Sequence, residues 1–369
     1  MLVSVGWLLA APRAARACGG GLVNIAAATV AADRQRIFLS VHAATTDVIT
    51  EVSVAATTSD YAVLLPVGGF PTLDPRPVPA VELDGLDQVT APHVYVSSPG
   101  GDDAGCGCFG AAGSNKAGDP RGGIEVGAPI AIGPVTAVVL SAEAGDAVSE
   151  WLATNGFSLP AGGPALVDAY AGPGRYFIAL RRNDTSAPGN ATSVGVHFTL
   201  PGDARALPLR FARIGAAAQV SFTVFVAAAA PVAPALPFDT LTLTDLDAPT
   251  LRAAGYASAL RAAVAAHANQ AFVIEGVLGP GELSAGAYPT VAALIDTTSS
   301  LTRLSTSLPS AALTTDVALD APFAGQAPST RYVEAGVGRG GPWPGPPAPV
   351  LGTTVALGAV LARRRRGRP

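Results

Sequence analysis

The chain has 369 residues, 49% hydrophobic and only 14% charged, with 42 Gly, 32 Pro and a net charge of −4 at pH 7. That is room for about two ordinary domains with ample core material, which excludes disorder as the main state. Few aromatics and no basic patch interleaved with them exclude a nucleic-acid surface, and so low a charge content fits a loop-rich β protein better than a helical bundle.

In chain order, the first element is an address. Leu2–Ala11 is apolar and is followed by Pro12 and by Ala15-Arg16-Ala17 ahead of Cys18. An apolar run ending in small residues at −3 and −1 is the pattern of a secretory signal peptide, here residues 1–17. It is too short to span a bilayer. Cleavage after Ala17 leaves Cys18 as the mature N-terminus; Ala at −3 and Arg at −2 fit a lipid-modified cysteine poorly.

The body, 18–335, then reads as strands. Segments 35–43, 47–57 and 61–69 are β-branched and separated by Thr/Ser/Asp turns, and Val48, Thr50, Val52 and Val54 keep a period of two. That predicts an antiparallel meander. A Pro-rich passage from Pro71 to Pro79 leads to a further strand at "PHVYVSS". Segment 133–143 reads as a buried strand. Segment 145–157 reads as a helix with Asp146 as N-cap, Val148, Trp151 and Leu152 on one face, and Asn155-Gly156 as its stop.

"ALVDAY" is a short second helix, and 175–183, "TSVGVHFTL", "LPLRFARIG" and "AAQVSFTVFVAAA" are strands. A subdivision of the body is expected near 230–246. Beyond it a long Ala-rich helix opens at Asp247-Ala248-Pro249, with Pro early as helices prefer. It runs to about His267 with Tyr256, Leu260 and Val264 on one face. The fold class expected is β-rich α+β, an antiparallel sheet or sandwich-like body with a few helices.

The last part is a second address. A Gly/Pro linker, 336–349, precedes an apolar run, 350–362, and the cluster Arg363–Arg366. As a helix that run rises about 20 Å, short of a bilayer core of about 30 Å, although the arginines can snorkel. The layout resembles bacterial C-terminal sorting signals. The membrane, met through 350–362 or through its processed form, is the expected partner, with a protein or envelope partner beside it. The expected location is extracytoplasmic, secreted or anchored to the cell envelope.

The ordered set "RACGG", "SDYAVLLPVGGFPTL", "GCGC", "WLATNGFSLP", "VDAYAGPGRYFIALRRN" and "LTRLSTSLPSAALTTDVAL" resembles an uncharacterised family of secreted bacterial proteins, a domain of unknown function. The likeness runs from about Cys18 to about Pro322. It implies an extracytoplasmic protein and carries no assigned reaction. Many relatives have a second cysteine soon after the Ala-Cys-Gly-Gly start; this chain has "GGGLVN" there, which leaves no disulfide local to the N-terminus.

The chemistry centres on "GGDDAGCGCFG", 100–110. Gly105 to Gly110 matches G-x-G-x-x-G, but the strand before and helix after that a dinucleotide loop requires are missing. Cys106 and Cys108, with Asp102 and Asp103 and with His93 or Cys18 completing a shell, are the candidate metal ligands. In an oxidising compartment Cys18, Cys106 and Cys108 are equally the disulfide candidates. Cys18 can join either of the others, or Cys106 and Cys108 can close a tight ring. A redox pair is the third reading, without a basic neighbour to lower a thiol pKa.

His42 and His197 fall in predicted strands and His267 on the Ala-rich helix, positions that favour structural roles over ligation. No G-x-S-x-G, H-E-x-x-H or P-loop motif occurs. No catalytic residue is assigned and no cofactor is required. The expectation is a binding or structural protein. Its alternatives are a metal-dependent or hydrolytic enzyme with a dispersed site, and a thiol-redox or metal-delivery protein using Cys106 and Cys108.

Overall fold

The computed structural model describes residues 21–24, 30–56, 61–97, 125–141, 143–182, 195–283 and 288–334. Strand β1, Gly21–Asn24, is followed by β2, Val30–Val41, and β3, Thr45–Ala56, a long hairpin turned at His42–Ala44. Then come β4, Tyr61–Val67, β5, Thr72–Leu73, helix α1, Ala80–Thr90, and β6, His93–Ser97. The next block holds β7, Glu125–Val126, β8, Ile130–Ile132, β9, Val135–Ser141, helices α2, Gly145–Thr154, and α3, Gly163–Tyr170, and β10, Tyr176–Arg182.

Strands β11, Val196–Pro201, β12, Ala206–Leu207, β13, Ala216–Ala228, β14, Val232–Ala233, and β15, Asp239–Thr242, precede helix α4, Ala248–Ala266. The described chain closes with β16, Ala271–Leu278, helix α5, Pro289–Ala293, β17, Ser300–Pro309, β18, Val317–Ala318, β19, Ala321–Pro322, and β20, Thr330–Glu334.

Two sheets carry the body. The larger has eight strands in the order β15-β16-β17-β13-β2-β3-β11-β5; the smaller runs β1-β4-β10-β9-β7, with β8 also on β9. Period-two alternation explains how they stack. Ile37 and Leu39 of β2, Val48 and Val52 of β3 and Val224 and Val226 of β13 share one core with Val63 and Leu65 of β4 and Ile178 and Leu180 of β10. The intervening residues point the other way on both sheets.

Ala62, Leu64, Phe177 and Ala179 of the smaller sheet pack on Val148 and Leu152 of α2 and Val167 of α3. Phe38, Ile49 and Phe225 of the larger sheet pack on Leu83 and Leu86 of α1 and Val291 of α5. The body is thus a β-sandwich with helices outside both sheets, which is the β-rich α+β class expected.

Several local expectations need correction. The meander ends at β3: β4 crosses to the smaller sheet, where it pairs β1 and β10. "LPLRFARIG" is a 3₁₀ turn at Phe211–Arg213 rather than a strand. Its apolar residues are spaced three apart, so Leu209 and Ala212 enter the inter-sheet core while Phe211 and Ile214 enter the core under α2 and α3. The cap of α2 is Ala144, and Asp146 lies inside the first turn, accepting from the Ala147 N–H at 2.8 Å. Gly145 opens that helix because a Cβ there would lie 2.3 Å from the Asp168 Cα of α3.

Helix α4 begins at the expected cap, with the Asp247 carboxylate accepting from the Thr250 N–H, but it breaks at Gly255, φ +75° and ψ −180°. Helix α1 follows the Pro-rich passage, where no helix is expected. Three two-stranded ribbons, β12-β18, β14-β19 and β20-β6, complete the described strands.

Candidate functional site

Strand β3 pairs β11 with Thr199 opposite Asp47 and His197 opposite Ile49. Cross-strand partners share a face, so Asp47, His197 and Thr199 lie on the outer face of the larger sheet. His42, in the turn that closes the β2–β3 hairpin, reaches Asp47 from the side. Asp74 is held next to β11 by its own N–H, which donates to the His197 carbonyl at 3.0 Å. Asp296 arrives from the segment after α5.

These residues form one chain of contacts in which carboxylates and imidazoles alternate. The His42 Nδ1 lies 2.9 Å from Asp296 and its Nε2 3.0 Å from Asp47. The His197 Nε2 lies 3.1 Å from Asp47 and its Nδ1 3.3 Å from Asp74. Asp74 in turn takes the Arg76 Nη2 at 2.7 Å, and the Thr199 hydroxyl donates to Asp47 at 2.6 Å.

Each of the four imidazole nitrogens therefore faces a carboxylate, a group that can only accept when ionised. The His197 ring satisfies this arrangement as imidazolium, donating from both nitrogens. Burial works against the charged His197 ring, but its bonds to Asp47 and Asp74 raise it above the usual imidazole range. Burial likewise opposes ionisation of Asp47, yet the bonds from His197 and Thr199 and the two ring charges hold it below the usual carboxylate range. Asp74 is held lower still, chiefly by Arg76. Side-chain exposure is lowest in the middle, 11% at His197, and rises to 56% at Asp296 and 86% at Arg76, so the chain meets solvent at both ends.

At the Asp296 end lies a groove of about 490 Å³. It is lined by Val41 and Ala228, at the carboxyl ends of the parallel neighbours β2 and β13, together with His42, Asp296, Ser299, Arg205, Asp320 and Pro322. Its volume is that of a small-molecule site.

A second set of charges lies buried beneath α1. Arg36 Nη2 donates to both carboxylate oxygens of Glu51, at 2.9 and 2.7 Å, across a direct β2–β3 pair. Its Nη1 reaches Asp84 of α1 at 2.7 Å. Arg303 of β17 binds Glu275, Asp87 and Thr90. Tyr256 of α4 donates to Glu275, and burial, reinforced by the Glu275 charge, pushes its phenol well above the usual range. Arg36, Glu51 and Glu275 are each no more than 2% exposed, so this network clamps helices to the sheet.

Of the sequence-predicted site residues, Cys18, Asp102, Asp103, Cys106 and Cys108 lie outside the described residues. His93 opens β6 and stacks on Tyr95, ring centroids 6.4 Å apart. His267 is the C-cap of α4 and bonds Asp239 at 2.7 Å. His42 and His197 are brought together through Asp47, a meeting that neither strand pattern announces. Asp47, Asp74 and Asp296 were not singled out in the sequence; the available signal was a carboxylate and Thr199 recurring at strand positions of the same parity.

Among the described residues no group of three or more His, Cys, Asp or Glu is arranged as a metal site, and no helix is long and apolar enough to cross a membrane. A family model, described as "Uncharacterized protein conserved in bacteria (DUF2330)", matches residues 12–319. No curated protein and no solved structure matches the chain.

Proposed function

We infer, from the premise that the chain belongs to the DUF2330 family of uncharacterised bacterial proteins, that it is an extracytoplasmic binding protein that takes a small ligand in the groove beside His42 and Asp296. The pattern of residues 1–17 supports export. The linker, apolar run and Arg cluster of 336–369 support attachment to the envelope, by the tail itself or by its processed form. The binding half of the reading is carried by one observation, the double commitment of both imidazoles. A general base needs one ring nitrogen free to accept a proton, whereas each nitrogen of His42 and His197 is engaged by a carboxylate. The wall is therefore a fixed array of charge suited to holding a ligand.

The test is native mass spectrometry of the full chain recovered from its own envelope fraction, beside Ala230→Trp. Ala230 is exposed on the groove lining, so an indole there fills the groove without entering the core. A mature chain starting at Cys18 with a small-molecule adduct that the variant lacks is the expected result. An adduct retained by Ala230→Trp, or a chain that keeps residues 1–17, overturns it.

A further inference from the structure

We propose that the outward face of the β6–β20 ribbon rests on the surface of the bilayer to which the tail attaches, with Tyr95 and Tyr332 set among the lipid headgroups. The proposal rests on the envelope attachment inferred above and adds which face of the body meets the membrane.

The two faces of the ribbon differ in kind. Val333 is 2% exposed and belongs to the inter-sheet core, and Val94 packs against that core. Arg331 donates to the Leu243 carbonyl, which fastens β20 to the body. The other face carries Tyr95 opposite Tyr332, 53% and 77% exposed. Their rings stack 5.2 Å apart, and His93 stacks on Tyr95 in turn.

Exposed apolar side chains gather here. Of the seven large ones exposed among the described residues, Tyr95, Val96 and Tyr332 lie on these two short strands, and Val81 and Val89 lie on α1, which leads into β6. Neither tyrosine hydroxyl makes a hydrogen bond among the described residues. A ring that is apolar along its body and polar at its tip suits the boundary between lipid and water.

Chain length points to the occupant. Strand β20 ends at Glu334, and residues 335–349 separate it from the apolar run 350–362. Fully extended, that segment spans at most about 50 Å, so attachment through the apolar run keeps Tyr332 within this reach of the bilayer. Area argues against a second copy. Two five-residue strands cover about 17 by 10 Å, far below the roughly 800 Å² that each partner gives to a stable protein interface. A tethered face needs no such area, because the tether holds it at an effective concentration of about millimolar.

The experiment is hydroxyl-radical footprinting, read residue by residue by mass spectrometry, of the full chain in vesicles of phosphatidylethanolamine and phosphatidylglycerol. The reference is a full-length variant, Leu351→Glu with Val355→Glu and Val360→Glu, which stays in solution. In the vesicles, oxidation of Tyr95 and Tyr332 should slow by about threefold, as for a tethered contact at about twice its dissociation constant. Phe70 and Leu236, exposed elsewhere on the body, should keep their rate. Equal oxidation in both settings, or protection shared by Phe70 and Leu236, overturns the assignment while the attachment stands. Protection that fades as lipid is added at fixed protein means that a second copy covers the ribbon, which also overturns it. A wild-type chain that does not stay with the vesicles removes the attachment and the proposal together.

Discussion

Replacing Asp47 by Asn keeps the shape of the side chain and removes the anion on which both imidazoles converge. Asp47 accepts three bonds, from His42, His197 and Thr199. A bond to a charged group contributes about 1.5–3 kcal/mol when shielded and a neutral one about 1 kcal/mol. His197 is well shielded, whereas a quarter of the His42 side chain meets water that can replace the lost acceptor. The amide oxygen of Asn can still accept one bond. The expected loss of stability is therefore about 3 kcal/mol near pH 5.5, read by urea unfolding.

The sign of the pH dependence follows from the shifts. His197 is raised in the folded state, so its stabilisation is complete below the unfolded value of about 6.5 and fades as pH rises through the folded value. Asp47 and Asp74 are lowered, so theirs is complete above about 3.8 and fades as pH falls through their folded values. The wild type should gain most from this cluster between about pH 4 and 6.5, and Asp47→Asn should cost clearly less near pH 8.5. An equal cost at both pH values would show that the cluster is held by packing, not by charge, and would sink the argument.

Three further outcomes are expected. Glu51→Ala takes from Arg36, itself only 2% exposed, its buried two-oxygen partner and leaves it Asp84 at the helix, so it should cost about 2–3 kcal/mol in urea unfolding, whereas Arg36→Met combined with Glu51→Leu should cost less. Leu39→Ala opens a cavity at a position with no exposure between the two sheets and should cost about 2–5 kcal/mol by the same assay. Gly255→Ala meets no neighbour within 4 Å, so its effect should be the strain of a backbone conformation nearly confined to glycine, about 1–3 kcal/mol, visible as a drop in thermal midpoint.

How much of this could be read from the sequence depends on where each element finds its stabilisation. Strands β2, β3 and β13 and helices α2 and α4 carry their own patterns, of period two or with a face at i, i+4, and were legible. Helix α1 was not. It lacks a capping side chain, holds Gly85 in its middle and exposes Val81 and Val89. What fixes it is tertiary: Leu83 and Leu86 against the sheet, Asp84 on Arg36 and Asp87 on Arg303.

The histidines divide the same way. Their strand setting could be read for His197, but the bond to Asp47 joins residues 150 positions apart and depends on which strand β11 chooses. Arg36 and Glu51 left a faint trace, opposite charges inside two strand segments that follow one another. Register alone could turn that trace into a pair.

The ribbon of β6 and β20 has a mechanical meaning. The strands run parallel, Thr330 opposite His93 through Glu334 opposite Ser97, with Tyr95 and Tyr332 stacked at 5.2 Å across the pair. Tension reaching the body through the chain after Glu334 draws β20 along its own length, while β6 is held from its opposite end through Ala91 and α1. In that geometry the bonds between the strands carry the load together instead of opening one after another. Behind them, α1 is fastened to the sheet by Arg36 and Arg303. The ion pairs of Arg36 and Arg303 thus stand behind that ribbon, against any pull applied to β20 from its Glu334 end.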